Sequence, residues 1–454
     1  MTTQEYDIVI LGAGSGGYAA ALRAGQLGLK VALIEGDKVG GTCLHRGCIP
    51  TKALLHVAEV ADEMREGSNI GVMGNFDHID MSAVNSYKNG VIEKMYKGLT
   101  GLVASRNVET ISGWGRLVAK DTVEVNGQQI KGKNIILASG SFSKTIGQTI
   151  TNRVITSEQA LNMDVVPKSV VVLGGGVIGV EFASVWASYG AEVTIIEGLD
   201  HLVPNEDEAI SKNLERQFRK RKIAFKTKTM FDHVEEDANG VHVFTQDGKQ
   251  FDAEYLLIAI GRGPNTANMG YEEQGIPMDR GFVLTNERLH TGVGNIYAVG
   301  DIVPGVQLAH RGFLQGMFVA EEIAGLNPKP LNESYIPRVT FCNPEIASVG
   351  LTEKAAKEKY GEVETAEFNL TGNGKSQMLG AAGFVKLVRE KDGPIVGFHA
   401  IGARMSEQIG EGELLVAWEA FPEDLDGLIH AHPSQNEAVG EAMLALAGKP
   451  LHNH

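Results

Sequence analysis

The chain has 454 residues, of which 43% are hydrophobic and 21% are charged, as is typical of a globular protein with several domains. Its net charge of −15 argues against nucleic acid or an anionic membrane as the main partner, because both attract a basic face. No apolar run approaches the roughly 20 residues of a membrane span, and the N-terminal "MTTQEYDIVILGAG" does not have the pattern of a secretion signal. With three cysteines, we therefore expect a reducing, cytoplasmic location, where structural disulfides are rare.

The first predicted unit is a strand, a turn and a helix. "YDIVILGAGSGGYAAALRAGQLGLKVALIE" turns at Gly12, Gly14 and Gly17 and closes on a second strand that ends at Glu35. In such a G-x-G-x-x-G pattern the glycines permit a tight turn, a close approach to a pyrophosphate, and packing of the helix on the strand. The free N–H groups of the helix N-terminus bind the phosphates, and the acid accepts hydrogen bonds from a ribose diol. This segment predicts a dinucleotide site.

The next segment, "GGTCLHRGCIPTK", carries Cys43 and Cys48. The pair could be half of a metal site, two incidental thiols, or a redox disulfide. Zinc would need two further ligands, which this spacing does not supply, so we predict no metal. In a straight helix, Cα atoms five residues apart lie roughly 8–9 Å from each other, too far for a disulfide. A disulfide therefore requires a distorted helix, and Pro50 is predicted to cause the distortion because it cannot donate to the carbonyl of Arg46.

A second copy of the strand–turn–helix unit follows. "KSVVVLGGGVIGVEFASVWASYGAEVTIIE" turns at Gly174, Gly176 and Gly179 and closes on Glu197. One such motif is weak in a glycine-rich chain, but two copies with an acid at the same place predict two dinucleotide sites. Glu197 would repel a 2′-phosphate, and no arginine follows in "EGLDHLVP", so the second site is predicted to prefer NAD over NADP.

Later segments indicate how the domains follow one another. Two apolar strands, "IILASGS" and "LLIAIGRGPNT", stop at small-residue turns where a chain can cross between domains, and "TGVGNIYAVGD" gives another strand before Asp301. We expect an α/β fold with two Rossmann-like dinucleotide-binding domains and a C-terminal α+β domain. The predicted boundaries are 1–145 for the first nucleotide domain, 146–268 for the second, 269–338 for the return to the first, and 339–454 for the C-terminal domain. The basic run 216–228 is predicted to be the solvated end of a helix.

Five motifs together carry a family resemblance: "GAGSGGYAA", "GGTCLHRGCIPTK", "GGGVIGVE", "YAVGD" and "HAHPSQNEA". In this order they resemble the pyridine nucleotide–disulfide oxidoreductases, most closely the members that oxidise dihydrolipoamide and reduce NAD⁺. The resemblance runs essentially end to end. It implies one tight, non-covalent FAD per subunit in the first Rossmann unit, NAD⁺ as co-substrate in the second, and a homodimer with a shared active site. The implied partners are lipoyl domains and the acyltransferase core of 2-oxo acid dehydrogenase complexes, or a glycine cleavage system.

The resemblance also implies the roles of the cysteines and of a nearby ion pair. Cys43 would be the thiol that meets the substrate, and Cys48 the thiol that lies against the flavin. Cys48 is predicted near a helix start, where the dipole lowers a thiol pKa. Lys52 follows it by one helical turn, and the resemblance pairs Lys52 with Glu181 near the flavin.

The C-terminal motif implies a catalytic base. His432 would remove the substrate's thiol protons while Glu437 orients its ring, with His430 a structural neighbour. Ser434 replaces a threonine that the family usually has. Cys342 is predicted to be a small core residue.

The resemblance yields two sets of candidate cofactor residues. The FAD set is Gly12, Gly14, Gly17, Glu35, Gly41, Thr42, Lys52, Gly115, Gly140, Ser141, Asp301, Leu308, Ala309 and His310. The NAD set is Gly174, Gly176, Val177, Ile178, Gly179, Glu181, Glu197, Gly261 and Arg262.

Two kinds of rival function stay open. A glutathione-type or mycothiol-type reductase would use the same thiols but would prefer NADPH. A flavin-bound scaffold, or a binding module of a large complex, would not depend on turnover. The effect of Cys43→Ser separates the second kind from an enzyme.

Overall fold

The structure is a computed structural model, and it describes residues 5–453. Its α-helices are α1 Ser15–Gln26, α2 Gly41–Arg46, α3 Cys48–Glu66, α4 Met81–Ser105, α5 Ser157–Ala160, α6 Val177–Tyr189, α7 Glu208–Lys220, α8 Ala309–Ile323, α9 Glu353–Tyr360, α10 Gly374–Met378, α11 Ile409–Ala417 and α12 Glu437–Leu446. Its strands are β1 Glu5–Leu11, β2 Val31–Glu35, β3 Glu109–Ser112, β4 Gly115–Ala119, β5 Thr122–Val125, β6 Gln128–Leu137, β7 Ser141–Ser143, β8 Val154–Thr156, β9 Ser169–Leu173, β10 Glu192–Ile196, β11 Ala224–Lys226, β12 Phe231–Glu236, β13 Val241–Thr245, β14 Gln250–Ala253, β15 Tyr255–Ile258, β16 Arg262–Pro264, β17 Met278–Asp279, β18 Phe282–Val283, β19 Ile296–Ala298, β20 Arg338–Thr340, β21 Glu345–Gly350, β22 Val363–Asn369, β23 Phe384–Glu390 and β24 Ile395–Gly402.

The first sheet has the strand order β3-β2-β1-β6-β5-β4, and β19 pairs with β6. Strands β3, β2, β1, β6 and β19 run parallel. Their apolar side chains are buried on both faces, as is usual for a parallel sheet covered by helices. The carboxyl ends of these strands meet at one edge, which is where ligands bind in folds of this kind. Gly12, Glu35 and Asp301 follow β1, end β2 and follow β19 at this edge.

The second sheet is wholly parallel, with the order β11-β10-β9-β15-β8. Helix α6 follows β9, so the second glycine motif lies at the carboxyl edge of this sheet as the first motif does in its own. A three-stranded antiparallel sheet, β12-β13-β14, packs its buried residues against strands of the second sheet. Strand β7 follows β6 of the first sheet, and β16 follows β15 of the second sheet. The two short strands pair with each other and so connect the two sheets.

The third sheet is antiparallel, with the order β20-β21-β24-β23-β22. Helices α11 and α12 pack against it, and together they enclose a separate apolar core. The four-part division of the chain at 145, 268 and 338 remains our proposal. The sheets support it, because β19 rejoins the first sheet only after the whole second sheet has been formed.

One expectation about the surface is wrong in part. The basic run was predicted to be a solvated helix end, but Arg221, just after α7, has a side chain that is mostly buried. Its Nη1 donates to Ser184 Oγ at 2.6 Å and to the carbonyl of Asn343 at 2.8 Å. Sequence patterning missed this because the partners come from distant segments. Within residues 5–453, no helix is long and apolar enough to cross a membrane.

Candidate active site

The turn between β1 and α1 needs glycine for steric reasons. Gly12 has φ +104°, and a Cβ there would lie 2.3 Å from the carbonyl oxygen of Ala138. A Cβ on Gly17 would lie 1.8 Å from the carbonyl oxygen of Gly12, so only glycine lets the helix pack this close to the strand. Gly174 and Gly179 repeat the same geometry in the second unit.

The middle glycine of each motif leaves open space at a helix N-terminus. Gly14 and Gly176 are the N-cap residues of α1 and α6, and neither helix start is capped by a side chain. A Cβ on either glycine would meet no protein atom within 4 Å. The unpaired N–H groups and the positive end of the helix dipole are thus exposed to a phosphate at both places. The first turn of α6 begins with Val177 and Ile178 of the predicted NAD set. Both sites therefore fit a dinucleotide pyrophosphate.

The predicted ribose acids are both fixed by backbone N–H groups. Glu35 accepts from Ala13 at 2.7 Å and from the N–H two residues onward at 2.9 Å. Glu197 accepts from Gly175 at 2.6 Å and from Leu199 at 2.7 Å. Each carboxylate is thereby oriented beside its glycine turn, where it can accept hydrogen bonds from a ribose.

Residues of the two predicted sets meet at the β7–β16 pair. Ser141 Oγ donates to Asp301 Oδ2 at 2.5 Å, which joins two members of the FAD set. Arg262 was predicted for NAD, yet its side chain donates to Ser141 Oγ and to the carbonyl of Ser141, both at 2.7 Å. Its guanidinium therefore contacts a member of the predicted FAD set, while Gly261 lies just before β16.

The remaining FAD-set residues surround the same edge of the first sheet. A Cβ on Gly41 would lie 2.7 Å from Gly14 Cα, and one on Gly115 would lie 2.6 Å from Leu11 Cδ1. Thr42 lies in the first turn of α2, and Gly140 precedes β7. Leu308 and Ala309 begin α8, which packs closely on α1. The ring of His310, the next residue, bonds to the carbonyl of Pro337 at 2.8 Å. A cavity of about 350 Å³ adjoins Glu35.

The cysteine segment forms two helices with a break between them. Helix α2 ends at Arg46, Gly47 has φ −143° and ψ −111°, and α3 begins at Cys48. The helix is distorted, as a disulfide requires, but the prediction that Pro50 causes it is wrong. Pro50 lies in the first turn of α3, where its missing N–H has no intrahelical role. Gly47 breaks the helix instead.

The two cysteines are thiols in this structure, and their environments differ. A hydrogen bond from the Cys43 thiol, followed by the charge of Lys52, lowers the pKa of Cys48 in spite of burial. The same hydrogen bond, together with burial, raises the pKa of Cys43. Cys48 is also the first residue of α3, where the helix dipole favours an anion. Of the two sulfurs, Cys48 is therefore the one that ionises first, and Cys43 is the one that holds its proton.

Lys52 and Glu181 form an ion pair between α3 and α6. Lys52 Nζ lies 3.0 and 2.9 Å from the carboxylate oxygens of Glu181, whose side chain is 4% exposed. Two residues that the sequence did not indicate adjoin this site. Phe341 donates its backbone N–H to Glu181 Oε1 at 2.9 Å. Tyr18 lies close enough that burial and the two cysteines raise its pKa to about 12. Its place directly after the first glycine motif was an available signal, whereas Phe341 had none.

The C-terminal histidine is paired with its predicted carboxylate. His432 Nδ1 donates to Glu437 Oε1 at 2.8 Å, and Ser434 N–H donates to Glu437 Oε2 at 2.7 Å. Although burial opposes it, these two bonds lower the pKa of Glu437. The His432 side chain is 80% exposed in the single chain.

The neighbouring histidine forms a second pair. His430 Nε2 donates to Glu411 Oε1 at 2.7 Å, and this bond raises the pKa of His430. The motif around His430 does not indicate this pair, because Glu411 lies on α11, outside the motif. Within residues 5–453, no cluster of three or more metal-ligating side chains is found.

Both the sequence and the structure of the chain are similar to those of known proteins. The family model "Pyridine nucleotide-disulphide oxidoreductase" matches residues 6–316, and the dimerisation domain of the same family matches residues 336–443. A dihydrolipoyl dehydrogenase from Bacillus subtilis is 38% identical, over 99% of this chain and 99% of its own. A mitochondrial dihydrolipoyl dehydrogenase from Pisum sativum is 36% identical, over 99% of this chain and 93% of its own. The crystal structure of LpdA from Mycobacterium tuberculosis superimposes with a TM-score of 0.90 at 25% identity, and covers 98% of this chain and 100% of its own.

Proposed function

The chain belongs to the pyridine nucleotide-disulphide oxidoreductase family, and from that premise we propose that it oxidises protein-bound dihydrolipoamide to lipoamide and reduces NAD⁺ to NADH. The observation that carries the proposal is the unequal thiol pair at the start of α3, beside the Lys52–Glu181 ion pair. A pair in which one thiol ionises before the other suits a disulfide that alternates with a dithiol.

The cofactors of the family are FAD and NAD(H), and the two glycine turns fit them. The first turn, with Glu35, Ser141 and Asp301 around it, would hold FAD, and the second, with Glu197, would hold NAD⁺. When bound, FAD supplies the two-electron relay between the cysteine pair and NAD⁺. The protein residues contribute binding, orientation and proton placement.

The first half-reaction is disulfide exchange. His432, oriented by Glu437, accepts a proton from one substrate thiol, and the resulting thiolate attacks Cys43 Sγ. The Cys43–Cys48 bond breaks, a mixed disulfide forms with Cys43, and Cys48 leaves as a thiolate. The second substrate thiol then attacks the substrate sulfur that is bonded to Cys43, which closes the cyclic disulfide and releases Cys43, and the proton of this second thiol passes to the departing Cys43 sulfur. The substrate has lost two electrons and the cysteine pair has gained them.

The second half-reaction returns the cysteines to the disulfide. The lowered pKa of Cys48 favours its thiolate, which is the sulfur that would face FAD. Lys52, neutralised in part by the buried Glu181, places a cation beside that thiolate. The two electrons leave as a hydride to NAD⁺, one proton is released, and the Cys43–Cys48 bond reforms.

We extend the proposal to the partners and location of the enzyme. The dimerisation domain indicates a homodimer. The lipoyl domain and acyltransferase core of a 2-oxo acid dehydrogenase complex, or of a glycine cleavage system, would present the substrate, and the net charge of −15 suits docking on a basic surface of such a core. A reducing cytoplasm would keep the buried Cys342 a thiol.

The test is a steady-state assay with dihydrolipoamide and NAD⁺, run beside NADP⁺ and beside NADPH with glutathione disulfide. We expect NADH formation only in the first arm, its loss in Cys43→Ser, and weaker discrimination against NADP⁺ in Glu197→Ala. The proposal fails if dihydrolipoamide yields no NADH, or if glutathione disulfide with NADPH is the better pair.

A further inference from the structure

Phe341 contacts both members of the Lys52–Glu181 pair. Its backbone N–H donates to Glu181 Oε1 at 2.9 Å. The Lys52 ammonium lies over the face of its ring, 4.6 Å from the ring centroid. An ammonium at this distance is attracted by the negative face of an aromatic ring. Three distant segments, carrying Lys52, Glu181 and Phe341, therefore meet at one cation.

The backbone beside Phe341 is anchored independently of that cation. Asn343 donates its N–H to Ser184 Oγ at 2.8 Å, and Arg221 donates to the carbonyl of Asn343 at 2.8 Å. Cys342, which lies between Phe341 and Asn343 in the chain, is fully buried. Ser184 lies on the same helix as Glu181, three residues further along, so the whole segment is fastened to α6. The ring therefore has a fixed place that Lys52 does not determine.

A lysine ammonium needs contacts of this kind if it is to stay in one place. Its ammonium is a compact charge on a flexible four-carbon stem, and the Lys52 side chain is 32% exposed. Glu181 alone would let the ammonium swing around the carboxylate. An ion pair that stabilises developing charge is effective only if the cation already lies where the charge appears.

We propose that Phe341 is a positioning residue for Lys52. The ring of Phe341 holds the ammonium directly, and its backbone N–H holds the ammonium indirectly by orienting Glu181. The inference rests on the proposed function, since it concerns the side of Lys52 that faces the flavin. It explains why the turn between β20 and β21 of the third sheet reaches into a site otherwise built from α3 and α6. Loss of the ring would make reduction of the flavin less favourable while leaving the ion pair present.

The test measures the two-electron flavin potential of the holoenzyme in a Cys43→Ser, Cys48→Ser background, where only the flavin takes up electrons. We expect Phe341→Leu to lower the equilibrium constant for flavin reduction roughly threefold to tenfold, which equals about 14–30 mV to more negative potential at 29.6 mV per tenfold. Phe341→Tyr keeps the ring and should keep the wild-type potential. In a Lys52→Met background, Phe341→Leu should produce no further shift, because the cation is gone.

Two controls separate positioning from general damage. Phe368→Leu alters a buried phenylalanine of the C-terminal core that has no part in this contact, and it should leave the potential unchanged. Thermal unfolding of each variant reports folding separately. The inference is overturned by an unchanged or more positive potential in Phe341→Leu, by an equal shift in Phe368→Leu, or by a shift that persists without Lys52. Failure of the proposed function would instead appear in the unaltered chain, as absent FAD or absent dithiol oxidation.

Discussion

The two cysteines differ because of what surrounds each sulfur, and the difference divides the chemistry between them. Cys48 receives a hydrogen bond from Cys43, begins a helix and faces the charge of Lys52. Cys43, in the preceding short helix, donates that hydrogen bond and is buried, and both effects raise the pKa of its thiol. A thiol that holds its proton, beside a thiol that ionises more readily, fits a site that exchanges disulfides on one side and passes electrons on the other.

This asymmetry predicts how the Cys48 thiolate responds to pH. A thiolate beside an oxidised flavin gives long-wavelength absorbance, which should persist above the lowered pKa of Cys48 and disappear as pH falls through it. Cys43→Ala removes the hydrogen bond that contributes most to the lowered pKa. We therefore expect the midpoint to move up by about 1–2 pH units, because a hydrogen bond to a charged group contributes about 1.5–3 kcal/mol. The measurement is a spectrophotometric pH titration of the two-electron-reduced wild type and of the variant as isolated.

Cys43→Ser is the matched control for this titration. It also abolishes the disulfide, but its hydroxyl can still donate to the Cys48 thiolate. Its midpoint should lie closer to that of the wild type than the midpoint of Cys43→Ala does. Equal midpoints in the two variants would show that the neighbouring thiol does not tune Cys48.

At the scale of elements, a buried ion cluster fastens the second sheet's region to the third sheet. Lys386 on β23 lies 2.9 Å from Asp207, which caps α7, and 2.7 Å from Glu353 of α9. Burial alone would raise the pKa of Asp207, but the bonds from Lys386 and from the N–H of Glu353 lower it overall. The cluster's stability is therefore present above the ordinary carboxyl pKa and is lost as pH falls through the lowered value.

Removal of the central cation should destabilise the protein strongly. Lys386→Met leaves Asp207 buried without its cation, and breaking a buried pair in this way costs about 3–5 kcal/mol. Lys357→Met is the control, because Lys357 bonds the same Glu353 at the surface, where such pairs contribute at most about 1 kcal/mol. Urea unfolding followed by circular dichroism should rank the two variants in this order. A similar loss of unfolding free energy in both variants would contradict a special contribution of the buried cluster to stability.

The elements that sequence reasoning located are those with a local steric cause. The turns at Gly12 and Gly174 were found because their φ angles and close contacts admit only glycine. The same reasoning failed for Pro50, because a proline breaks a helix in its interior but not in its first turn. Pro50 lies in the first turn because α3 begins at Cys48, directly after the helix break at Gly47.

At the scale of the whole molecule, contacts between remote segments could not be predicted from local sequence patterns. Arg262 turns its guanidinium to Ser141, 121 residues away, and Phe341 reaches Glu181 across 160 residues. Neither contact leaves a pattern in the neighbouring sequence, since each depends on how the sheets pack. The pairings of Lys52 with Glu181 and His432 with Glu437 could be predicted only because a family resemblance supplied them.

The placement of the His432–Glu437 dyad makes a prediction about the dimer. His432 is 80% exposed in the single chain, and the nearby Ile429 is 92% exposed, yet a catalytic base for thiols requires a site that excludes water. Both dyad residues lie within the segment 336–443 that matches the dimerisation domain. We therefore expect each dyad to serve the cysteine pair of the partner subunit, so that a complete site needs two chains.

Mixed dimers of Cys43→Ser and His432→Ala subunits test this arrangement. If the dyad acts across the interface, one site of the mixed dimer carries both lesions and the other carries none, so a two-fold dimer should have about half the wild-type activity. If the dyad acts within its own subunit, each site carries one lesion and the mixed dimer should be nearly inactive. The two subunits can be given different affinity tags, the mixed dimer isolated by sequential purification, and dihydrolipoamide oxidation measured beside each homodimer. Because both homodimers should be nearly inactive, recovered activity in the mixed dimer can come only from a site shared between chains.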